Sequence, residues 1–163
     1  MGVISEEFRA VMGRFATGVT VVTTCDGIRP AGMTVNAFAS VSLDPPLVLV
    51  CVERTTYIHD LLVRNGYFAV NILSDEQSEV SDCFAGRSEY RYSDFCGVGS
   101  HVAATGAPVF DEALGFVDCR IVNVFPGGDH SIFIGHVEAL GGDEQRPLLY
   151  YRGTYPRLES PEE

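Results

Sequence analysis

The chain is poor in positive charge: 11 lysines and arginines stand against 22 aspartates and glutamates in 163 residues, a formal charge of −11. A phosphate-backbone partner needs clustered cations, so the balance argues against nucleic acid. It also disfavours an anionic membrane surface. No apolar run is long enough to span a bilayer. The opening MGVISEEFRAV has no basic flank and no apolar core, so no signal peptide is read there. There is no CxxC pair, and Cys25, Cys51, Cys83, Cys96 and Cys119 are odd in number. They read as thiols of a reduced, cytoplasmic protein, with Cys51 and Cys119 acting as small hydrophobes in apolar runs. P-loop, HExxH and GxSxG motifs are absent. Gly97-Val98-Gly99 lacks the third glycine and the βαβ setting of a dinucleotide fingerprint. His59, His101, His130 and His136 fall in separate segments without ligand spacing, so no metal site is expected. No repeat, linker or low-complexity block divides the chain.

What is present fits one domain over residues 1–163, with a core of about 5–157 and a hydrophobic content of 46%. Ser5 is expected to cap a first helix, with Phe8, Val11, Met12 and Phe15 forming its buried face. Val19–Thr24 reads as a strand, Cys25-Asp26-Gly27 as a turn, and Ala31–Ser42 as the antiparallel partner. After Pro45-Pro46, Leu47–Glu53 is apolar on both faces, as in a central strand. Thr55 or Thr56 opens a helix with Ile58, Leu61 and Leu62 inward, closed at Asn65-Gly66. Tyr67–Leu73 is a strand, and Ser74-Asp75-Glu76-Gln77 a capping box starting a helix that runs to about Phe84. Residues 87–108 have no clean period. Strands at Phe116–Phe125 and Ser131–Leu140 flank Pro126-Gly127-Gly128-Asp129, and Leu148–Tyr151 closes the chain. About six strands and two or three short helices predict a mainly β fold, a barrel with helical excursions.

The segment AGMTVNAFASVS (Ala31–Ser42) is the most informative. Small residues and hydroxyls alternate in it where packing residues would be expected, so the backbone could approach a flat anionic ligand. Asn36 adds an amide, and Thr34, Ser40 and Ser42 add hydroxyls suited to a phosphate. His130, directly after a glycine-rich turn, is either poised to donate to a carboxamide or move a proton, or simply a solvent-exposed turn residue. Arg54, Arg87 and Arg91 are candidate phosphate clamps or plain surface arginines. Tyr150, Tyr151 and Tyr155 could stack on a ring or pack in the core. Taken alone, these positions give a cofactor-binding barrel and no reaction.

Together they resemble the flavin reductase family with the FMN-binding split-barrel fold. The likeness runs from Phe15-Ala16-Thr17-Gly18-Val19-Thr20-Val21-Val22-Thr23 to Pro147-Leu148-Leu149-Tyr150-Tyr151-Arg152-Gly153. Between them lie AGMTVNAFASVSLDPPLVLVCV, Phe68–Ser74, Phe84-Ala85-Gly86, Gly128-Asp129-His130 and Ile134-Gly135-His136-Val137. The resemblance implies a homodimer that takes FMN or FAD, with NADH or NADPH as hydride donor. It implies too that reduced flavin diffuses to a separate oxygenase. Met33, Thr34, Val35, Asn36 and Ala37 would line the ring and ribityl chain. Ser40, Val41 and Ser42 would run beside chain and phosphate, with Cys51, Val52, Glu53 and Thr56 completing the pocket. Phe84, Ala85 and Arg87 would cover the tail, and His130 with Tyr150 or Tyr155 would meet the nicotinamide, His130 being the catalytic candidate. Residues 87–95 depart from the family pattern: Glu89 and Asp94 make them acidic, which leaves FMN against FAD open, and the lack of a basic cluster leans towards NADH. A flavoprotein with tightly held FMN and its own substrate, or a non-catalytic flavin binder, are the alternatives.

Overall fold

The computed structural model describes residues 2–88 and 94–159. The order is α1 (Ser5–Met12), β1 (Thr17–Gly18), β2 (Thr20–Cys25), β3 (Pro30–Val35), β4 (Phe38–Leu43) and β5 (Pro46–Glu53), then α2 (Tyr57–Asn65), β6 (Tyr67–Ile72) and α3 (Ser78–Phe84). A 3-10 turn at Asp94–Gly97 precedes β7 (Ser100–Val102), β8 (Pro108–Phe110), β9 (Gly115–Gly127), β10 (His130–Gly142) and β11 (Leu149–Tyr150). Seven strands form one antiparallel sheet in the order β3-β2-β6-β9-β10-β5-β4. Its edge strands, β3 and β4, are consecutive in the chain and separated only by Asn36 and Ala37. A two-residue link cannot cross the width of a flat sheet, so the sheet curls until its edges approach. The result is the expected split barrel, with its seam at Asn36-Ala37. Among the described residues, no helix is long and apolar enough to cross a membrane.

Strand alternation sends Val48, Val50 and Val52 of β5 inward with Val22, Phe68, Val70 and Phe133, while Ile58 and Leu62 of α2 plug one end. α2 closes as expected at Gly66, whose φ of 75° is the left-handed conformation that glycine adopts freely. A second cluster, Val19, Val21, Leu73, Phe110 and Leu148, packs with Phe84 and Phe95 beneath α3. Asp118 is fully buried yet satisfied: it accepts the N–H groups of Ala104 (2.7 Å) and Thr105 (2.8 Å) and the Thr105 hydroxyl. That carboxylate ties the loop before β8 to β9.

Several expectations need correction. Ile4, not Ser5, is the N-cap of α1, and no side chain caps it. Phe8, Val11, Met12 and Phe15 are 58%, 62%, 49% and 71% exposed, so the apolar face of α1 is not a core face. Periodicity identifies an apolar stripe but not what covers it, and among the described residues no other element does. Ala31–Ser42 is two strands at opposite sheet edges, not one. β5 buries alternate residues on one face instead of both. The Ser74–Gln77 box forms a turn, with the Ser74 N–H donating to Gln77 Oε1 at 3.0 Å, and α3 starts only at Ser78. Ser74 is held extended by its bridge to Pro147, which keeps it out of a helix. The aperiodic stretch contains the β7–β8 hairpin, and Arg91 and Glu89 lie outside the described residues. β9 and β10 each run to 13 residues and are joined by Gly128 and Asp129 alone. Finally, Cys83 and Cys96 form a disulfide, leaving Cys25, Cys51 and Cys119 free. They come together because Phe95 packs on Phe84 and brings the 3-10 turn against α3.

Candidate functional site

Two cavities meet at the seam. The larger, about 770 Å³, has an apolar wall from Phe8 and Met12 of α1 and Phe15 just after it, facing Ala37, Phe38 and Ala39 across the seam and Leu49 and Cys51 of β5. Its size suits a cofactor ring system. The bare stripe of α1 therefore borders a ligand-sized cleft. At the seam the Phe38 N–H donates to the Asn36 carbonyl and the Cys51 N–H to the Ala37 carbonyl, which fixes the backbone where the strands change edge. Burial pushes the Cys51 thiol up, so it presents a neutral, apolar surface.

The smaller cavity, about 150 Å³, is polar and is lined by Val19, Thr34, Asn36, Ser81, Ala85, Arg87, Tyr150 and Tyr155. Asn36 lines both cavities. A hydrogen-bond chain stiffens the polar one. The Thr34 hydroxyl donates to the Ser81 carbonyl at 2.6 Å, and Tyr155 donates to Asp82 Oδ1 at 2.8 Å. With the tyrosine proton so placed, Ser81 Oγ donates to the Tyr155 oxygen at 2.9 Å. Arg87 Nε lies 3.6 Å from the same Asp82 oxygen. Burial pushes the Tyr155 hydroxyl up; the bond from Ser81 opposes this and the Asp82 carboxylate reinforces it. Tyr155 therefore stays a neutral donor, and among the described residues Arg87 is the one cation lining this pocket. Tyr150 and Tyr155 sit with ring centroids 5.9 Å apart.

His130 lines neither cavity, but its register places it. It lies directly across from Glu53, and Ile132 and Ile134 lie across from Cys51 and Leu49. Cross-strand partners share a face, so His130 projects on the same face as Leu49 and Cys51, one diagonal step from Cys51. Asp129 Oδ1 is 2.7 Å from His130 Nδ1. The carboxyl of Asp129 is held below its ordinary value by that bond and by the charge of the ring. Nδ1–H donates to the carboxylate, leaving Nε2 free at the rim of the cleft.

The structure thus brings Thr34, Asn36, Ala85, Arg87, Tyr150 and Tyr155 together in the polar pocket, and Asn36, Ala37 and Cys51 in the apolar cleft. Val35 and Val52 are buried in the barrel and Met33 packs against the same core, so their side chains face away from both. Ser40, Val41 and Ser42 run along the outer edge strand, with a bulge between Ser40 and Ser42. Glu53 and Thr56 stand near His130, the Thr56 hydroxyl donating to the Glu53 carbonyl at 2.7 Å. Arg54 is there too, its N–H donating to the Asp129 carbonyl at 3.0 Å. Phe84 lies under the pocket, against Gly32 and the rings of Phe95 and Phe110. Sequence reasoning missed Phe8, Met12 and Phe15 as cleft residues, and missed Ser81 and Asp82 altogether. Ser81 and Ala85 are four apart across the end of a helix, a spacing that could have flagged Ser81; nothing local links Asp82 to Tyr155. Among the described residues, no cluster of His, Cys, Asp or Glu could hold a metal ion.

The model of the flavin reductase like domain matches residues 12–159. The reductase subunit HsaB of a flavin-dependent monooxygenase from Rhodococcus jostii is 39% identical over 153 residues, covering 93% of this chain and 77% of that protein. Among solved structures, the flavin reductase PheA2 superposes with a TM-score of 0.91 at 40% identity, covering 97% of this chain and 100% of that one. The NADH:FAD oxidoreductase SgcE6 of Streptomyces globisporus, in complex with NAD and FAD fragments, gives 0.88 at 34% identity, covering 100% of each chain. With a split barrel whose seam joins an apolar cleft to an arginine-bearing pocket, this chain belongs to the flavin reductase family.

Proposed function

We propose that cleft and pocket together hold one flavin, the apolar cleft facing its ring system and the polar pocket its phosphate-bearing tail. The residues fit such a group: a flat apolar wall, an amide at Asn36, and one guanidinium beyond it. A bound FMN or FAD supplies the redox chemistry, accepting a hydride from NADH or NADPH. The chain is an NAD(P)H:flavin oxidoreductase, and its own residues bind and orient. Asn36 offers its amide at the junction, Tyr155 keeps its proton and donates it to a hydrogen bond with Asp82, and the terminal nitrogens of Arg87 face a phosphate. His130, steadied at Nδ1 by Asp129, presents Nε2 to the nicotinamide carboxamide and holds it over the cleft. The observation that carries this reading is the meeting of an apolar and a cationic cavity at the single residue Asn36.

The reduced flavin passes to a separate oxygenase, as the role of the reductase subunit HsaB suggests. The chain works in the cytoplasm, where the nicotinamide pool is. It pairs with a second copy through α1 and the turn after it, where Phe8, Val11 and Phe15 expose the kind of apolar surface that a soluble monomer avoids. Sedimentation of the wild type at twice the monomer mass, and of Phe8→Ser/Phe15→Ser at monomer mass, is the expected pair of results. The reaction is tested by NADH and NADPH oxidation with no flavin, FMN or FAD added. Saturable oxidation that depends on added flavin is expected. No oxidation in any combination would overturn the reading.

A further inference from the structure

Asp82 is the pivot of the polar pocket. One of its oxygens, Oδ1, takes the Tyr155 hydroxyl at 2.8 Å and faces Arg87 Nε at 3.6 Å. The carboxylate thus engages Arg87 from its Nε side, and among the described residues none takes its terminal nitrogens. It also cancels much of the charge that Arg87 brings. The sequence contains no lysine, so arginine is the only strongly basic side chain available. Among the described residues lining this pocket Arg87 is the one cation, and its anionic partner is already in place.

Two flavin tails differ in what they set against such a pair. FMN ends in a phosphate monoester with about 1.5 to 2 negative charges near neutrality. In FAD each phosphate of the pyrophosphate carries a single charge, and the second phosphate lies further along the chain. We propose that Asp82 is a specificity-determining residue of the flavin site, shifting the balance from FMN towards FAD by opposing a doubly charged phosphate at Arg87. The assignment rests on reading the polar pocket as the place of the flavin tail. An extra half to one charge roughly 6 Å from the carboxylate, at a half-exposed site where the effective dielectric is high, corresponds to a shift of about two- to fivefold in relative affinity. Exposed charges are screened, so the shift narrows as salt rises.

The test is equilibrium binding of riboflavin, FMN and FAD to the wild type, Asp82→Asn and Asp82→Glu, followed by flavin fluorescence at low and high salt. NADH oxidation with each flavin runs alongside. Asp82→Asn, which can still accept the Tyr155 proton, is expected to move the ratio of FMN to FAD affinity about two- to fivefold towards FMN, chiefly by tightening FMN, the shift shrinking at high salt. Asp82→Glu, which keeps the charge, keeps the wild-type ratio. Equal ratios in Asp82→Asn and Asp82→Glu, each shown to be folded by its thermal melt, would overturn the proposal. So would a ratio that Asp82→Asn leaves unchanged. If flavin-dependent NADH oxidation persists while the ratio is unmoved, the reductase reading stands and only the role of Asp82 falls. If none of the three flavins binds, the pocket assignment falls, and the proposal with it.

Discussion

Replacing Gly32 by alanine tests how β3 and α3 jointly build the polar pocket. A Cβ at Gly32 would lie 2.7 Å from Phe84 Cε1, 2.9 Å from its Cδ1 and 3.2 Å from Val21 Cγ1. The ring cannot swing aside freely. It stacks on Phe110 at 5.5 Å and meets Phe95 edge-on at 5.1 Å. The clash must therefore be relieved by shifting α3, which carries Ser81 and Asp82 and leads directly into Ala85 and Arg87. Overpacking of this kind costs about 1–3 kcal/mol. For a chain of this size that is a fall in melting temperature of roughly 3–10 °C. Flavin affinity should fall with it, because Thr34, two residues along β3, donates to the Ser81 carbonyl across the same contact. The assay is a double-mutant cycle with Phe84→Leu, which removes the ring edge: thermal melts give stability and fluorescence titration gives flavin affinity. The double variant should be more stable than the sum of the single changes predicts, by at least about 1 kcal/mol. A Gly32→Ala protein that melts with the wild type would refute the reasoning, as would strict additivity in the cycle.

Three further predictions rest on separate observations. His130→Ala should slow hydride transfer at least tenfold while flavin titrations stay near wild type, and unchanged turnover would remove the imidazole from the mechanism. Thiol titration of the denatured, unreduced protein should count three free cysteines, rising to five after reduction; five from the start would show that the Cys83–Cys96 bond does not form. If it does, Cys83→Ala/Cys96→Ala should lose about 2–4 kcal/mol in denaturant melts, as expected for closing a loop of this length. Asp118→Ala should cost about 2–4 kcal/mol, because it strands the Ala104 and Thr105 N–H groups, and a loss under 1 kcal/mol would mean that water or a shifted loop satisfies them.

How much of this was legible beforehand depends on how far apart the cooperating residues lie. Local chemistry read well. The Asn65-Gly66 stop, the inward Ile58, Leu61 and Leu62, and the strands on either side of Gly128-Asp129 all follow from periodicity and turn residues a few positions apart. Contacts set by topology did not. Ala31–Ser42 carries one unbroken alternation of small and hydroxyl residues, and nothing in it says that Asn36-Ala37 joins opposite edges of a sheet. Asp82 and Tyr155 are 73 positions apart, and Cys83 and Cys96 have no motif spacing. Gly32 shows the difference in one residue. Its smallness suggested close approach of a ligand, and in the structure it admits the Phe84 ring.

The misreading of α1 is of another kind, and it bears on how the site works. The stripe of Phe8, Val11, Met12 and Phe15 has the spacing of a core face, yet nothing among the described residues covers it. Apolar area of that extent is costly to leave in water, and a short helix gains little from propensity alone. Part of the stripe, Phe8, Met12 and Phe15, is also the wall of the apolar cleft, so whatever covers α1 shapes the space opposite Ala37 and Cys51. If the cover is a second copy, the cleft is completed by association and flavin affinity depends on protein concentration. Dilution below the dimer dissociation constant would then weaken flavin binding in step with the loss of dimer by sedimentation. Flavin affinity that stays constant across that range would show each chain to carry a complete site. The same dilution series would separate loss of the dimer from loss of the polar pocket, because Arg87, Asp82 and Tyr155 lie on α3 and in the segments around it, bonded to one another within a single chain.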